Sequence, residues 1–151
     1  MAKKSAGILL YRFSEKQLQV MLVHPGGPFF AKKDLGAWSI PKGEFTDEDP
    51  LLAAKREFQE ETGISIEGEF KLLDPVKQKG GKEVHAWAVE GDLDVTHIRS
   101  NTFELEWPPR TGKYQSFPEV DRGEWFDIPT AKKKINAGQL VLIEQLEAIL
   151  R

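Results

Sequence analysis

The chain contains no cysteine, which excludes disulfides, thiolate metal sites and thiol nucleophiles. It lacks any apolar run near the roughly 18 residues that a membrane-crossing helix needs. It also lacks an excess of positive charge. Its 21 Lys and Arg face 24 Asp and Glu, a formal net charge of −3, so no global basic field favours nucleic acid and no such partner is expected. Repeats, low-complexity tracts and linkers are all missing. The first residues, Met1 to Ser5, are basic, but the apolar run behind them, Ala6 to Tyr11, is too short for the core of a signal peptide and reads as a strand. What is present is ordinary for a soluble globular protein: 40% hydrophobic and 30% charged residues. A length of 151 residues fits one domain, residues 1–151, with a full core. A cytoplasmic location is the default expectation.

The most informative stretch is residues 43–64, GEFTDEDPLLAAKREFQEETGI. Asp49 stands where an N-cap belongs, and Pro50 at the first helical position. Gly63 supplies a C-terminal stop. Between them, Leu51 to Glu61 are good helix formers without Gly or Pro. On such a helix Glu57, Glu60 and Glu61 share one face, because residues three and four apart are neighbours. Leu51, Ala54 and Phe58 form an apolar edge beside them. Three like charges at this spacing repel one another. One reading is a solvated acidic face. The other is a hard divalent cation among the acids, since Mg²⁺ takes oxygen ligands, keeps several waters and needs few carboxylates.

Around this helix the pattern predicts strands at Ser5 to Phe13 and Leu18 to His24, joined by a turn over residues 14–17. Breakers fill residues 25–37, a loop that carries Phe29, Phe30, Lys32 and Lys33. The two Phe either cover an edge of the core or stack on a nucleobase. Short strands are expected at Trp38 to Ile40, Ser65 to Leu73 and Glu83 to Val89. In the last, Val84, Ala86 and Ala88 face one side, and His85, Trp87 and Val89 the other. Asn101 to Trp107 is extended, residues 108–113 form a basic loop, and Glu124 to Phe126 is a final strand. Helices follow at Ala131 to Ile135 and from Gly138 or Gln139 to Leu150, with Leu140, Ile143, Leu146 and Leu150 buried. Strands on both sides of one central helix, then closing helices, indicate a mixed sheet covered on two faces.

Residues 43–64 also resemble the Nudix box. Its pattern is Gly, five residues, Glu, seven residues, then Arg-Glu-apolar-any-Glu-Glu-any-Gly-apolar. Arg56 to Ile64 fits the second half at every specified position, and seven residues separate Glu48 from Arg56. One departure exists: four residues, not five, separate Gly43 from Glu48, a shortening that falls in the loop. The resemblance implies an α+β fold, an α/β/α sandwich in which the box is a loop-helix-loop. It implies hydrolysis of a pyrophosphate bond in a nucleotide polyphosphate by water attack on phosphorus. It implies Mg²⁺ or Mn²⁺ held by Glu57, Glu60 and Glu61, with the Gly43 carbonyl helping. The general base would be Glu57, Glu61 or an acid from a later loop, for which Glu119 is the candidate. Glu48 and Arg56 would form a supporting ion pair.

The approach from Trp38 to Gly43 resembles the branch containing diadenosine tetraphosphate hydrolases, and Lys82 to Val89 does so more loosely. That branch often has Tyr near the position of His85. Lys42, His85, Arg110 and Lys113 are the candidate substrate contacts. A triphosphate or nucleotide-sugar pyrophosphatase is the alternative within the same chemistry. A Nudix-fold sensor that binds a nucleotide without cleaving it is the alternative outside it.

Overall fold

Strand β1 (Lys4–Ser14) and strand β2 (Gln17–Pro25) make an antiparallel hairpin. Its two turn residues, Glu15 and Lys16, lie at φ of 51° and 69°, the positive values a two-residue hairpin turn requires. The computed structural model describes residues 3–151. In it β1 is the central strand, buried from Ser5 to Tyr11. It runs parallel to β6 (Glu83–Glu90) in register from Lys4 with Glu83 to Tyr11 with Glu90. Its other edge is shared: β2 pairs with its C-terminal end, and β3 (Lys42–Glu44) with Ser5 to Gly7. Short strands β4 (Lys71–Leu72) and β5 (Val76–Lys77) pair with β6. Strands β7 (Thr102–Glu106) and β8 (Tyr114–Pro118) form a separate two-stranded ribbon. Strand β9 (Val120–Asp127) returns to pair with β2. Among the described residues the main sheet has seven strands, along the path β4-β6-β1-β2-β9 with β3 and β5 beside it.

The alternation of side chains along each strand sorts the core into two layers. Helix α1 (Pro50–Thr62) packs Ala53, Ala54 and Phe58 against Ala6, Ile8, Leu10, Met21 and Val89. Helices α2 (Ile128–Lys134) and α3 (Leu140–Ile149) pack Ala131, Leu142, Ile143 and Leu146 against Leu9, Leu22, Val84, Ala86 and Ala88. The result is the α/β/α sandwich with a mixed sheet. The Asp49 side chain accepts from Leu52 N at 3.1 Å, and Gly63 closes α1 at φ 75°. No helix among the described residues is long and apolar enough to cross a membrane.

Several elements depart from expectation. Residues 65–70 are irregular, and only Lys71 and Leu72 of that stretch join the sheet. Ile64, Ile66 and Phe70 still pack on the α1 layer, so apolar spacing there serves burial without pairing. Residues 38–40 form isolated bridges, Val23 with Ser39 and Trp38 with Ile135, and the strand comes later as β3. Strand β8 was not anticipated, and β9 is longer than the expected Glu124 to Phe126. Helix α2 starts earlier, at an Asp127 side chain that accepts from Thr130 N at 2.8 Å, and stops at Lys134. In α3 Leu142 joins Ile143 and Leu146 as buried, while Leu140 and Leu150 pack at the margin. On α1, Leu51 is only half-buried, and Glu57 belongs to the buried side.

Candidate active site

Helix α1 carries the acids, and β3 passes directly over them. A Cβ built on Gly43 would fall 2.0 Å from Glu57 Oε2. Only the missing side chain lets this carboxylate lie against the backbone. One residue earlier, Lys42 N donates to Glu61 Oε1 at 3.3 Å. Glu57 is buried and Glu61 half-buried. Burial pushes the Glu57 carboxyl up, the Arg56 hydrogen bond works against that, and the charges of Glu60 and Glu119 add to it. Burial likewise drives Glu61 up to about 8, against the Lys42 amide and with the repulsion of Glu57 and Glu119.

Glu119 therefore shares a field with the helix acids, although it lies far along the chain. Its residue is exposed, yet partial desolvation raises its carboxyl, and Glu60 adds to that. A ladder of backbone bonds brings it there. Asn101 N donates to Glu60 O at 2.8 Å, Glu119 N to Asn101 O at 2.9 Å, and Gly26 N to Glu119 O at 3.0 Å. The root of the β7–β8 ribbon is thus tied to the C-terminal half of α1.

Arg56 gathers the remaining acids. It donates to Glu48 through Nη2 at 2.9 Å and Nε at 3.2 Å, a two-point contact. Its Nη1 donates to Glu57 Oε1 at 2.8 Å and to both Glu60 oxygens at 3.2 Å. These carboxylates raise the guanidinium pKa further. Glu57 and Glu60 are therefore drawn together around Arg56, while Glu61 turns to Lys42. Among the described residues no three acidic, His or Cys side chains converge in metal-holding geometry. The donor set nevertheless fits a hard dication. Every donor is oxygen, the Gly43 backbone lies against Glu57, and the mutual repulsion of the acids is what added positive charge relieves.

A cleft of about 240 Å³ opens beside Glu61 and Glu119, with Phe30, Lys42, Gln78 and Asn136 among its walls. Past Lys42, Gln78 and Asn136 it continues into a hollow of about 540 Å³ that adds Lys79 and Lys82. Burial lowers the pKa of Lys42, and Glu61 opposes that. The uncharged polar lining was not anticipated. Gln139, fully buried, accepts from Ile40 N at 3.0 Å and donates to Ser39 Oγ at 3.0 Å. Gln78 Nε2 donates to Asn136 Oδ1 at 3.4 Å. The only sequence signal for these was polar residues flanking a short break, Asn136 to Gly138, before the last helix.

The other predicted contacts lie elsewhere. His85 lines a separate cavity of about 690 Å³ with Lys3, Lys4, Phe45 and Glu48. Its Nε2 is 2.7 Å from Glu83 Oε1 without hydrogen-bond geometry. Arg110 and Lys113 are exposed in the loop that joins β7 to β8, where Arg110 N donates to Glu106 Oε1 at 3.1 Å, and neither lines the cleft. Phe29 and Phe30 are exposed and cover no core edge. Phe30 lines the cleft, and Phe29 meets the Trp107 ring edge to face at 5.4 Å between centroids. Their loop is pinned by His24, a fully buried residue missed at the sequence level. Its Nδ1 faces Asp121 Oδ1 at 2.9 Å, and its Nε2 faces Lys33 O at 2.7 Å.

The family model described as NUDIX domain matches residues 1–146. The chain is 31% identical over 101 residues to an octanoyltransferase of Myxococcus xanthus, a match covering 66% of this chain and 25% of that protein. The chain thus spans about a quarter of that relative's length. Among solved structures it resembles the NUDIX domain of Shewanella oneidensis NrtR complexed with ADP ribose, with a TM-score of 0.70 at 17% identity, over 100% of this chain and 90% of that one. It also resembles a C. elegans Ap4A hydrolase binary complex, with a TM-score of 0.64 at 22% identity, over 99% and 98%. At these identities the likeness shows the fold.

Proposed function

The chain belongs to the NUDIX domain family, whose general chemistry is hydrolysis of pyrophosphate bonds in nucleotides, and from that premise we propose that it cleaves a nucleotide polyphosphate in the cleft beside Glu61 and Glu119. One observation carries the reading. Glu61 and Glu119 line one part of the cleft, Lys79 and Lys82 line the adjoining part, and Lys42 stands where the two meet. A polyphosphate is drawn to the lysines, and its scissile bond is presented to the acids. The proposal takes residues 1–151 as one domain acting in the cytoplasm. The NUDIX match over residues 1–146 supports the first part.

The residues divide the work. Glu57, Glu60 and Glu61, with the Gly43 carbonyl, would hold Mg²⁺ or Mn²⁺. Such an ion neutralises phosphate charge and acidifies water. Arg56 and Glu48 set the position of the carboxylates. Arg56 engages Glu57 and Glu60, and the Lys42 amide engages Glu61. Glu119, in the wall of the cleft, is our choice to take the proton of the attacking water, ahead of Glu57 and Glu61. Lys42, at the junction of the two parts of the cleft, contacts phosphate. A dinucleoside polyphosphate such as diadenosine tetraphosphate suits a cleft with two arms. Triphosphates and nucleotide sugars remain in the substrate panel.

Purified protein is to be incubated with Mg²⁺ and a panel of these nucleotides, with the products separated by chromatography. Glu60→Gln and Glu61→Gln are expected to lower turnover by about 10²-fold or more with folding intact, and Glu119→Gln by a factor on the order of 10²–10⁴. Full activity in Glu61→Gln would remove it from the site. A second reading, a sensor without turnover, is favoured by Arg56 sitting among Glu57 and Glu60. Nucleotide binding without any cleavage would select it.

A further inference from the structure

The β7–β8 ribbon and the loop after β2 build an aromatic surface that none of the catalytic chemistry uses. Phe103 of β7 closes on the backbone of Gly27, where a Cβ would meet its ring at 3.0 Å. Phe103 packs on Phe117 across the ribbon at 6.0 Å. Beyond this pair the ribbon extends to Trp107, whose N–H donates to Lys113 O at 2.9 Å and closes the tip. Trp107 meets exposed Phe29 edge to face. Phe29 adjoins Phe30, which lines the cleft beside Glu119, and Lys33 Nζ stands 5.3 Å over the Phe30 ring. The loop is held at both sides: His24 binds Lys33 O, and Gly26 binds the Glu119 carbonyl.

This geometry leads outward from the acids. Glu119 stands at the ribbon's root and Trp107 at its far end. Strand β7, at five residues, is about 17 Å long at the antiparallel rise. A nucleotide whose phosphate sits beside the acids, with the cation they would hold, would place its base along that length. Phe29 and Phe30 are exposed and Trp107 is half-buried; such rings on an anchored frame are costly to leave in water, and every base has a face on which they stack.

We propose that Phe29, Phe30 and Trp107 form the base-recognition surface of the cleft, so that the ribbon determines specificity for substrates bearing a nucleobase. This deepens the hydrolase reading and rests on it for the position of the phosphate. Its test does not need turnover. Binding of AMP and of ribose 5-phosphate, which share the phosphate and differ in the base, is measured by calorimetry on the full chain with Mg²⁺ present; neither ligand has a pyrophosphate bond to cleave. AMP is expected to bind about 5- to 150-fold more tightly, the range that base stacking spans. Trp107→Ala and Phe29→Ala should reduce that ratio toward one without changing ribose 5-phosphate binding, and Trp107→Phe should restore most of it. AMP should also quench indole emission in the wild type more than in Trp107→Phe, a readout that survives if an alanine variant fails to fold. Equal binding of the two ligands, an unchanged ratio in folded Trp107→Ala, or quenching indifferent to Trp107 would overturn the proposal. Base-selective binding with no hydrolysis of the panel would sink the hydrolase reading and leave this one standing. Hydrolysis without base selectivity would do the reverse.

Discussion

Glu57 and Glu61 stand four residues apart on α1 and have different surroundings. Glu57 is wedged between Arg56 and the backbone of Gly43, and Glu61 turns to the amide of Lys42. That they share a face with Glu60 was legible from spacing alone. Their partners were not, because the direction of a guanidinium or a carboxylate is set by tertiary contacts. His85 shows the same limit: alternation correctly placed it opposite Val84 and Ala86, but not in a cavity apart from Glu61. The raised Glu61 pKa has a consequence for stability. Its carboxyl titrates near 4.5 in the unfolded chain and at about 8 in the folded one. Between those values the folded state binds the proton that the unfolded state has released, so stability falls as pH rises. The contribution is complete below pH 4.5 and lost by about pH 8. Thermal unfolding of the metal-free protein should therefore show a steeper loss across that window than Glu61→Gln. Parallel slopes in the two proteins would contradict the burial of this carboxylate.

At the scale of elements, α1 was readable nearly to the residue, because Asp49, Pro50 and Gly63 act locally. Gly63 has a second reason to be glycine. Besides its φ of 75°, a Cβ there would meet Arg99 O at 2.7 Å. Gly63→Ala should destabilise the protein by more than about 1 kcal/mol, read as a lowered denaturant midpoint with an unchanged slope. A midpoint equal to wild type would show that the cap does not constrain the helix. Strand β8 was not readable, since Tyr114 to Ser116 are exposed and Phe117 only half-buried. A ribbon without a buried face leaves no period-two signal. Residues 64–70 err in the opposite direction. Ile64, Ile66 and Phe70 supply alternation, yet Gly68, at φ 153° and with Val89 Cγ2 only 2.9 Å from a built Cβ, departs from strand geometry.

For the whole molecule, the two-faced sheet followed from strands flanking an amphipathic helix, and the box motif located the acids. The cleft did not follow from either. It forms where β3, the loop after β2, the ribbon root and the turn at Asn136 to Gln139 meet, and those segments come from separate parts of the chain. Gln139 joins Ile40 and Ser39 across a sequence separation of 99 and 100 residues, a pairing no local pattern encodes. The same assembly makes the electrostatic claim a property of the whole fold. Glu119 joins the helix acids only because the ribbon root is bonded to Glu60 and Asn101. In the proposed reaction a divalent cation would relieve their repulsion, and a bound polyphosphate would add oxygen ligands to that cation. Calorimetric titration of Mg²⁺ into the protein, with and without a non-hydrolysable nucleotide polyphosphate, tests this most directly. Saturable uptake that tightens with nucleotide and is lost in Glu61→Gln is the expected result. No uptake under either condition, or uptake unaltered in Glu61→Gln, would contradict it.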